Sequence, residues 1–473
     1  MKTFGYRCLA AAVAVLVGGN CLGDTRADAL SAAKKAVAFY TRKVATEGGY
    51  LWRYSADLKL REGEGKVTGN TVWVQPPGTP AMGEAFVKLY DATGEAAFLD
   101  AARGVAEALR RGQLRSGGWQ DHIDFDSVDR VRIPYRIDPP GKKTKQVFSS
   151  LDDDKTQSSL RFLIELDRAV APQADAIHEM TTFALDRLLR AQYPNGAFPQ
   201  VWGETRMETP NALPADYPAS WPRVYPGHGS YWFRYTLNDN LMPDVMHALW
   251  LAWAVYHDDR YGEAARKAAD FLLLAQLPDP QPAWAQQYDF EMRPAWARKF
   301  EPPAVSGGES QGVLEILLET YRRTGEQKYL KPLPRALAYL KKSRLADGRL
   351  ARFYELETNR PLYFTRDYTL TYDDGDMPTH YGFKVPSKLD AIEKEYNRLR
   401  TSAAEPAPRK LAPAKGDIEA RARKVIDALD ERGAWVSDDK LRYHRYEGPI
   451  IDMAVAVKNL TILAEYLRGY PKT

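Results

Sequence analysis

The sequence predicts an all-α fold, an α/α toroid with small β elements at one rim, on three observations. Apolar residues recur at helical spacing in many separate segments. Several of these segments end in a small-residue turn, usually with an aromatic behind it. Strand-like runs are short and sit just after the turns, as in Leu350 to Leu356. The turns are Gly48-Gly49-Tyr50-Leu51-Trp52, Gly117-Gly118-Trp119, Asn195-Gly196-Ala197-Phe198, Asp347-Gly348-Arg349-Leu350 and Arg432-Gly433-Ala434-Trp435. Glycine just past a helix is a common cap. Helical segments that recur with one turn type point to antiparallel pairs wound into a ring or solenoid. The plainer reading is an irregular helical bundle.

In chain order, residues 1–23 read as a secretory signal peptide. Lys2 and Arg7 precede an apolar core from Leu9 to Val17, with Gly18 and Gly19 behind it. The core is too short to span a membrane. The expected location is secreted or periplasmic. Cys8 and Cys21, the two cysteines of the chain, both fall here. The mature chain then has no disulfide, no thiolate metal site and no cysteine nucleophile. Losing Lys2 and Arg7 takes the formal charge from +4 to +2, so bulk charge gives no reason to expect nucleic acid as a partner. No later segment resembles a membrane span, and a monomer is expected.

The toroid is expected over residues 24–401. Its helices carry spaced apolar residues such as Val37, Tyr40 and Val44; Leu185, Leu188 and Leu189; and Leu333, Leu337 and Leu340. Further helices run from Met82 to Tyr90 and from Val313 to Tyr321. Three segments interrupt this pattern. Asp124 to Val147 is basic and proline-rich. Gly203 to Ser230 is long and rich in Pro, Tyr and Trp, which suits an ordered groove wall. Residues 402–415 are rich in Pro and Ala and read as a linker. A C-terminal segment, 416–473, carries helical patterns through Leu460, Leu463 and Leu467 and is expected to dock on the toroid.

The chemistry gathers at Ser149-Ser150-Leu151-Asp152-Asp153-Asp154-Lys155-Thr156-Gln157-Ser158-Ser159. A helix follows at once, with Leu160, Leu163 and Ile164 on one face. One Asp suffices to cap a helix. Three in a row repel one another unless a cation or arginines neutralise them. Clustered carboxylate oxygens suit a hard cation, Ca²⁺ above all. Thr236-Leu237-Asn238-Asp239-Asn240 could complete such a site. Arginines follow in Arg293 to Glu301 and in Arg352 to Arg366. A guanidinium binds carboxylates through two parallel hydrogen bonds, so a row of arginines beside a cation would suit a polyanionic sugar. Surface ion pairs with neighbouring acids are the plainer role. For Arg298 these are a pair with Glu301, or packing on Trp296 and Phe300.

Taken together and in order, five motifs carry a resemblance: the acidic helix entrance, Asn-Gly-Ala-Phe-Pro-Gln, Thr-Leu-Asn-Asp-Asn-Leu-Met, Ala-Arg-Lys-Phe-Glu-Pro before Ser-Gly-Gly-Glu-Ser, and Ala-Arg-Phe-Tyr-Glu-Leu-Glu-Thr-Asn-Arg-Pro. Over roughly residues 80 to 385 the chain resembles the pectate lyases of polysaccharide lyase family 10. The resemblance implies an (α/α)3 toroid and Ca²⁺-dependent β-elimination on polygalacturonate with an arginine as base. It places the metal on Asp152, Asp153 and Asp239, the substrate on Asp152, Asp239, Arg352 and Arg366, and the base at Arg298. Lys155, where the family pattern has a small residue, and the long 203–230 loop are departures from it.

The implied reaction has a physical logic. The C5 proton of galacturonate is α to a carboxylate. Positive charge around that carboxylate stabilises the charge that builds up as the proton leaves. An arginine base needs cationic neighbours that lower its pKa, and high pH helps it. Two other readings stay open. A glycoside hydrolase on the same kind of toroid would pair Asp152 or Asp154 with Asp239 or Glu301. A non-catalytic helical-repeat glycan binder would need neither the acidic cluster nor Arg298.

Overall fold

The computed structural model describes residues 25–67, 69–139, 146–171, 175–204, 213–401 and 418–469. The expected signal peptide, the expected linker and part of the 203–230 loop lie outside the described residues. Thirteen α-helices are described: α1 Thr25–Phe39, α2 Thr79–Thr93, α3 Ala96–Gly112, a short α4 Ser127–Arg130, α5 Lys155–Val170, α6 Asp175–Ala191, α7 Leu241–Tyr256, α8 Asp259–Leu274, α9 Glu309–Thr324, α10 Leu333–Lys342, α11 Leu389–Thr401, α12 Ile418–Asp427 and α13 Met453–Gly469.

Six of these form an inner layer. In succession α2 packs on α5, α5 on α7, α7 on α9 and α9 on α11, while α13 packs on the other side of α2. Five of them have an outer companion. α3 lies against α2, α6 against α5, α8 against α7, α10 against α11, and α12 against α13, with α1 closing on α12 and α13. The α/α toroid class and the small rim strands are borne out. Among the described residues there are five such helix pairs, where the resemblance implies three. The first helices and the C-terminal pair join the same two layers, and the second layer is possible because α13 buries Leu460, Leu463 and Leu467.

The apolar stripes read from the sequence are the surfaces between the layers. Leu160, Leu163 and Ile164 of α5 are fully buried, as are Leu333 and Leu340 of α10, with Leu337 nearly so. Each such side chain contributes about 1.5–3 kcal/mol on burial.

One strand pattern repeats at one rim. A short strand leads into an inner helix and pairs antiparallel with the strand that follows the next outer helix. Ser149–Ser150 pairs with Val201–Trp202, Tyr235–Thr236 with Gln287–Tyr288, and Ala304–Ser306 with Phe353–Glu355. Thr71–Trp73 pairs with His122–Asp124 in the same way. All five predicted turns hold a glycine at positive φ: Gly48, Gly117, Gly196, Gly348 and Gly433. At Gly196 a Cβ would also lie 2.0 Å from the Lys267 carbonyl oxygen, so no side chain fits there.

An equivalent turn, between α8 and Trp284, uses prolines in place of glycine and carries no such signal in the sequence. It is identified by structure: the Trp284 indole donates to the Leu272 carbonyl at 2.7 Å, as Trp119 does to Leu109 and Trp435 to Val425. No helix among the described residues is long and apolar enough to cross a membrane.

Candidate active site

The entrances of α5 and α7 are two copies of one turn. Leu151 and Leu237 are buried and near-helical in backbone. Two residues later the chain turns left-handed, at Asp153 (φ 49°) and Asp154 (φ 61°) in one copy and at Asp239 (φ 49°) and Asn240 (φ 61°) in the other. Asp and Asn tolerate this region better than other non-glycine residues. Each such residue costs about 1–3 kcal/mol, and strain of this kind concentrates at functional sites.

The turns bring three carboxylates together. One oxygen from each of Asp152, Asp153 and Asp239 lies within 4.8 Å of the others. Asp152 accepts from Gln200 Nε2 at 2.5 Å and pairs with Lys155 Nζ at 3.3 Å. Asp239 accepts from Asn238 Nδ2 at 2.7 Å. Asp154 takes no part, because Arg161 holds it with two hydrogen bonds of 2.9 and 2.5 Å. Burial and the neighbouring Asp152 push the Asp153 carboxyl up to about 6. Burial, then Asp153 and Asp152, hold Asp239 well above the usual carboxylate range. The cluster therefore lacks positive charge. The donors are all hard oxygens, and the Gln200 amide oxygen beside them is buried without a partner among the described residues. This set fits a calcium-like cation.

Arg298 stands next to the cluster, with Nη2 3.5 Å from Asp239 Oδ2. It also makes the pair with Glu301 that the plainer reading expects, through Nε at 2.8 Å and Nη2 at 2.5 Å. Glu301 is buried and fixed by Gln286 Nε2 at 2.7 Å and Tyr381 OH at 3.0 Å. Burial alone would lower the Arg298 pKa. The hydrogen bonds and charge of Glu301 outweigh it, with Asp239 adding to them, and the guanidinium is held protonated more firmly than usual. The neighbours of Arg298 are anionic here, where a base needs cationic ones.

Arg352 lies 4.8 Å over the Tyr381 ring and pairs with Glu309 at 3.1 Å. It faces the same site. Arg366 does not join the cluster. It is 72 % exposed and pairs with Asp376 at 3.2 Å. Its turn still flanks the Arg298 segment, because Lys299 Nζ sits 3.5 Å over the Tyr368 ring. The described part of the long loop covers that segment from outside: Trp221 and Tyr225 meet Trp296 edge-on, and the Trp296 indole donates to the Pro222 carbonyl at 2.8 Å.

Gln200, Gln286 and Tyr381 were not singled out in the sequence, yet two of them had a signal. Strand register makes Gln200, Gln286 and Arg352 equivalent positions. Each lies two residues past a buried Phe198, Trp284 or Leu350 and reaches a helix entrance: Gln200 to Asp152, Gln286 to Asn238, Arg352 to Glu309. Aligning the repeats would have found them. Tyr381 has no such signal.

Residues 211–349 match the family model described as pectic acid lyase. This stretch contains Asp239 and Arg298. The resemblance read from the motifs is borne out over that stretch. No curated protein matches the chain. Among solved structures, it is similar to a mutant family 10 polysaccharide lyase from Cellvibrio cellulosa in complex with trigalacturonic acid, with 21 % identity over 67 % of this chain and 98 % of that one, at a TM-score of 0.47. It is also similar to a cellobiose 2-epimerase from Bacillus thermoamylovorans, with 12 % identity over 93 % and 98 % of the two chains and a TM-score of 0.47. A third likeness is a glycoside hydrolase family 76 mannosidase from Bacteroides thetaiotaomicron, with 13 % identity over 94 % and 98 % and a TM-score of 0.47.

Proposed function

We propose that this chain is a secreted pectate lyase that cleaves α-1,4-polygalacturonate by calcium-dependent β-elimination, with Arg298 as base. The observation that carries the reading is the meeting of Asp152, Asp153 and Asp239 beside Arg298. The three aspartates would hold calcium, which when bound supplies positive charge to a uronate carboxylate and so favours loss of its C5 proton. Arg352 holds a substrate carboxylate beside Tyr381, and Arg366 meets a sugar further along the groove. Arg298 first gives up its own proton to solvent and then, as the neutral guanidine, accepts the C5 proton. The freed electron pair closes a double bond between C4 and C5, the 4-O-glycosidic bond breaks, and its oxygen leaves with a proton from water. The products are 4,5-unsaturated oligogalacturonides.

Glu301 sets the main condition on this mechanism. A guanidinium whose ordinary pKa is already above about 12 is tied here to a buried carboxylate. Turnover requires that tie to loosen once substrate is bound, and high pH assists. The aspartates set a second condition. Burial and mutual repulsion make Asp153 and Asp239 hold protons more tightly than ordinary carboxylates, so at acid pH calcium has to displace them. Calcium affinity is expected to rise with pH through about 6.

The test is incubation with polygalacturonate, with and without a chelator, following the ultraviolet absorbance of the unsaturated product. Full activity after exhaustive chelation rejects the calcium part. Reducing ends without ultraviolet signal means hydrolysis by paired carboxylates instead. Export is checked by the N-terminal sequence of the protein recovered outside the cytoplasm.

A further inference from the structure

We infer that Lys155 is a built-in counter-ion of the Asp152, Asp153 and Asp239 cluster, one that loosens calcium and tightens polyuronate. Replacing it should therefore move the two affinities in opposite directions. The inference rests on the calcium reading above.

Lys155 stands where neither helix nor burial favours it. It is the first residue of α5, where the free N–H groups disfavour a cation. Its side chain is only 9 % exposed, and a buried ammonium is costly unless paired. The fold does not demand it: the equivalent residue at the entrance of α7 is the apolar Leu241. What the lysine adds is charge, delivered 3.3 Å from Asp152. Against Asp152 lies a second buried group, Gln200, 5 % exposed and with an unpartnered amide oxygen.

The local charge then decides the consequence. The groups in contact are four carboxylates, Asp152, Asp153, Asp239 and Glu301, and two cations, Lys155 and Arg298. Their net charge is two negatives, which one divalent cation cancels. Arg352 and Glu309 cancel each other. Glu64 adds negative charge beside Asp153, and Asp121, held by His122, adds more beside Lys155. Without Lys155 the cluster attracts calcium more strongly. The loaded site then stays anionic and repels the carboxylate of the incoming sugar. With Lys155 the loaded site carries one negative charge fewer, and the sugar's carboxylate can approach it more readily.

The test uses the full chain carrying Arg298→Lys, so that ligand is not consumed, with and without Lys155→Met. Calcium affinity is measured by calorimetry after chelation, and trigalacturonate affinity at saturating calcium. Removing a charge within about 4–6 Å shifts a binding equilibrium by about tenfold or more. Lys155→Met is therefore expected to bind calcium at least about tenfold tighter and trigalacturonate at least about tenfold weaker. Lys155→Arg is expected to return both toward the parent. Lys155→Gln is measured alongside, so that a folding defect in one variant leaves the comparison intact. Two affinities that weaken together, as structural damage would make them, overturn the inference, and so do two that stay unchanged. A parent chain that binds no calcium overturns the calcium reading itself, which is a different result from either.

Discussion

At the entrance of α5 the chain runs Leu151-Asp152-Asp153-Asp154-Lys155, and at the entrance of α7 it runs Leu237-Asn238-Asp239-Asn240-Leu241. The backbones follow the same path, with two consecutive left-handed residues before each helix. Each turn is tied by a glutamine from the following repeat, Gln200 in one case and Gln286 in the other. Apart from the leading leucine, only the central aspartate, Asp153 or Asp239, is shared. Around it the first turn carries two more acids and a lysine, where the second carries two amides and a leucine. The repeat of the fold thus supplies the geometry that aims two aspartates at one point. The flanking side chains decide how much charge gathers there and what balances it: Arg161 for Asp154, Lys155 for Asp152, Arg298 for Asp239.

Arg298, the cation beside the second turn, is where substitution should have its largest effect. Arg298→Lys keeps the charge and loses the planar fork. Turnover on polygalacturonate should fall about a hundredfold or more, the scale for a positioned base, while trigalacturonate binding changes far less. A fall in turnover that only tracks binding would make Arg298 a holder of carboxylate and not the base. Glu301→Gln separates the two roles from the other side. Removing the carboxylate lowers the pKa of Arg298, so a base role predicts that the rising limb of the pH–rate profile moves to lower pH. A purely binding role leaves that limb in place.

Next come the shared positions. Asp153→Ala and Asp239→Ala should each weaken calcium binding by about tenfold or more, on the scale of losing one opposite charge at contact distance. Helical circular dichroism should survive. Asp152→Asn makes the first turn read like the second and keeps a partner for Gln200, so its loss should be smaller than either. Equal losses at all three would mean that the shared position has no special standing. Asp154→Asn likewise copies Asn240. It breaks the pair with Arg161, whose side chains are only about a quarter exposed. It should cost roughly 1–3 kcal/mol of stability, seen as a lower Tm, with calcium affinity nearly unchanged.

Much of this was legible in the sequence, for reasons that differ by residue. Helical spacing and the positive-φ glycines gave the toroid, since both are local features. Leu160, Leu163 and Ile164 needed nothing from the rest of the chain to read as a buried face. The number of helix pairs was not legible, because it depends on whether the C-terminal helix packs on α2, a contact across most of the chain. The aspartates of the site were found because three adjacent acids are improbable without a partner. Which of them would turn to the site was hidden in two left-handed residues and in Arg161, seven positions along α5. Arg298 was found, but its electrostatic setting was not. Its nearest acid, Glu301, is buried by Gln286 and Tyr381, which come from other repeats.

The smallest expected effect concerns what lies beneath the two turns. Below the first, α5 is tied to α2 by Arg168 and Asp91, whose Nη2 and Oδ2 lie 2.6 Å apart. Below the second, α7 is tied to α9 through His247, whose Nε2 lies 3.0 Å from Glu319 Oε2 and whose Nδ1 lies 3.8 Å from Asp244. Burial alone would lower His247. The interactions with Asp244 and Glu319 outweigh it and raise the ring to about 9. Burial would raise Glu319, but His247 and Arg323 hold it down at about 2. A raised histidine stabilises fully below its unfolded value of about 6.5 and loses that contribution as pH climbs through 9. A lowered carboxyl stabilises above about 4.5 and loses its contribution only as pH falls through 2. The link is therefore complete near pH 5 to 6 and lapses on the alkaline side, where an arginine base works best. His247 is 41 % exposed, so solvent screens the pair and the term is about 1 kcal/mol or less. In a chain of this size that is about 2 °C in Tm or less. Wild type should lose that increment between pH 6.5 and 9, and His247→Gln should lack it at every pH, so the two Tm curves converge toward pH 9. Curves that run parallel across this range would show that His247 does not titrate there and that α7 is held to α9 by packing alone.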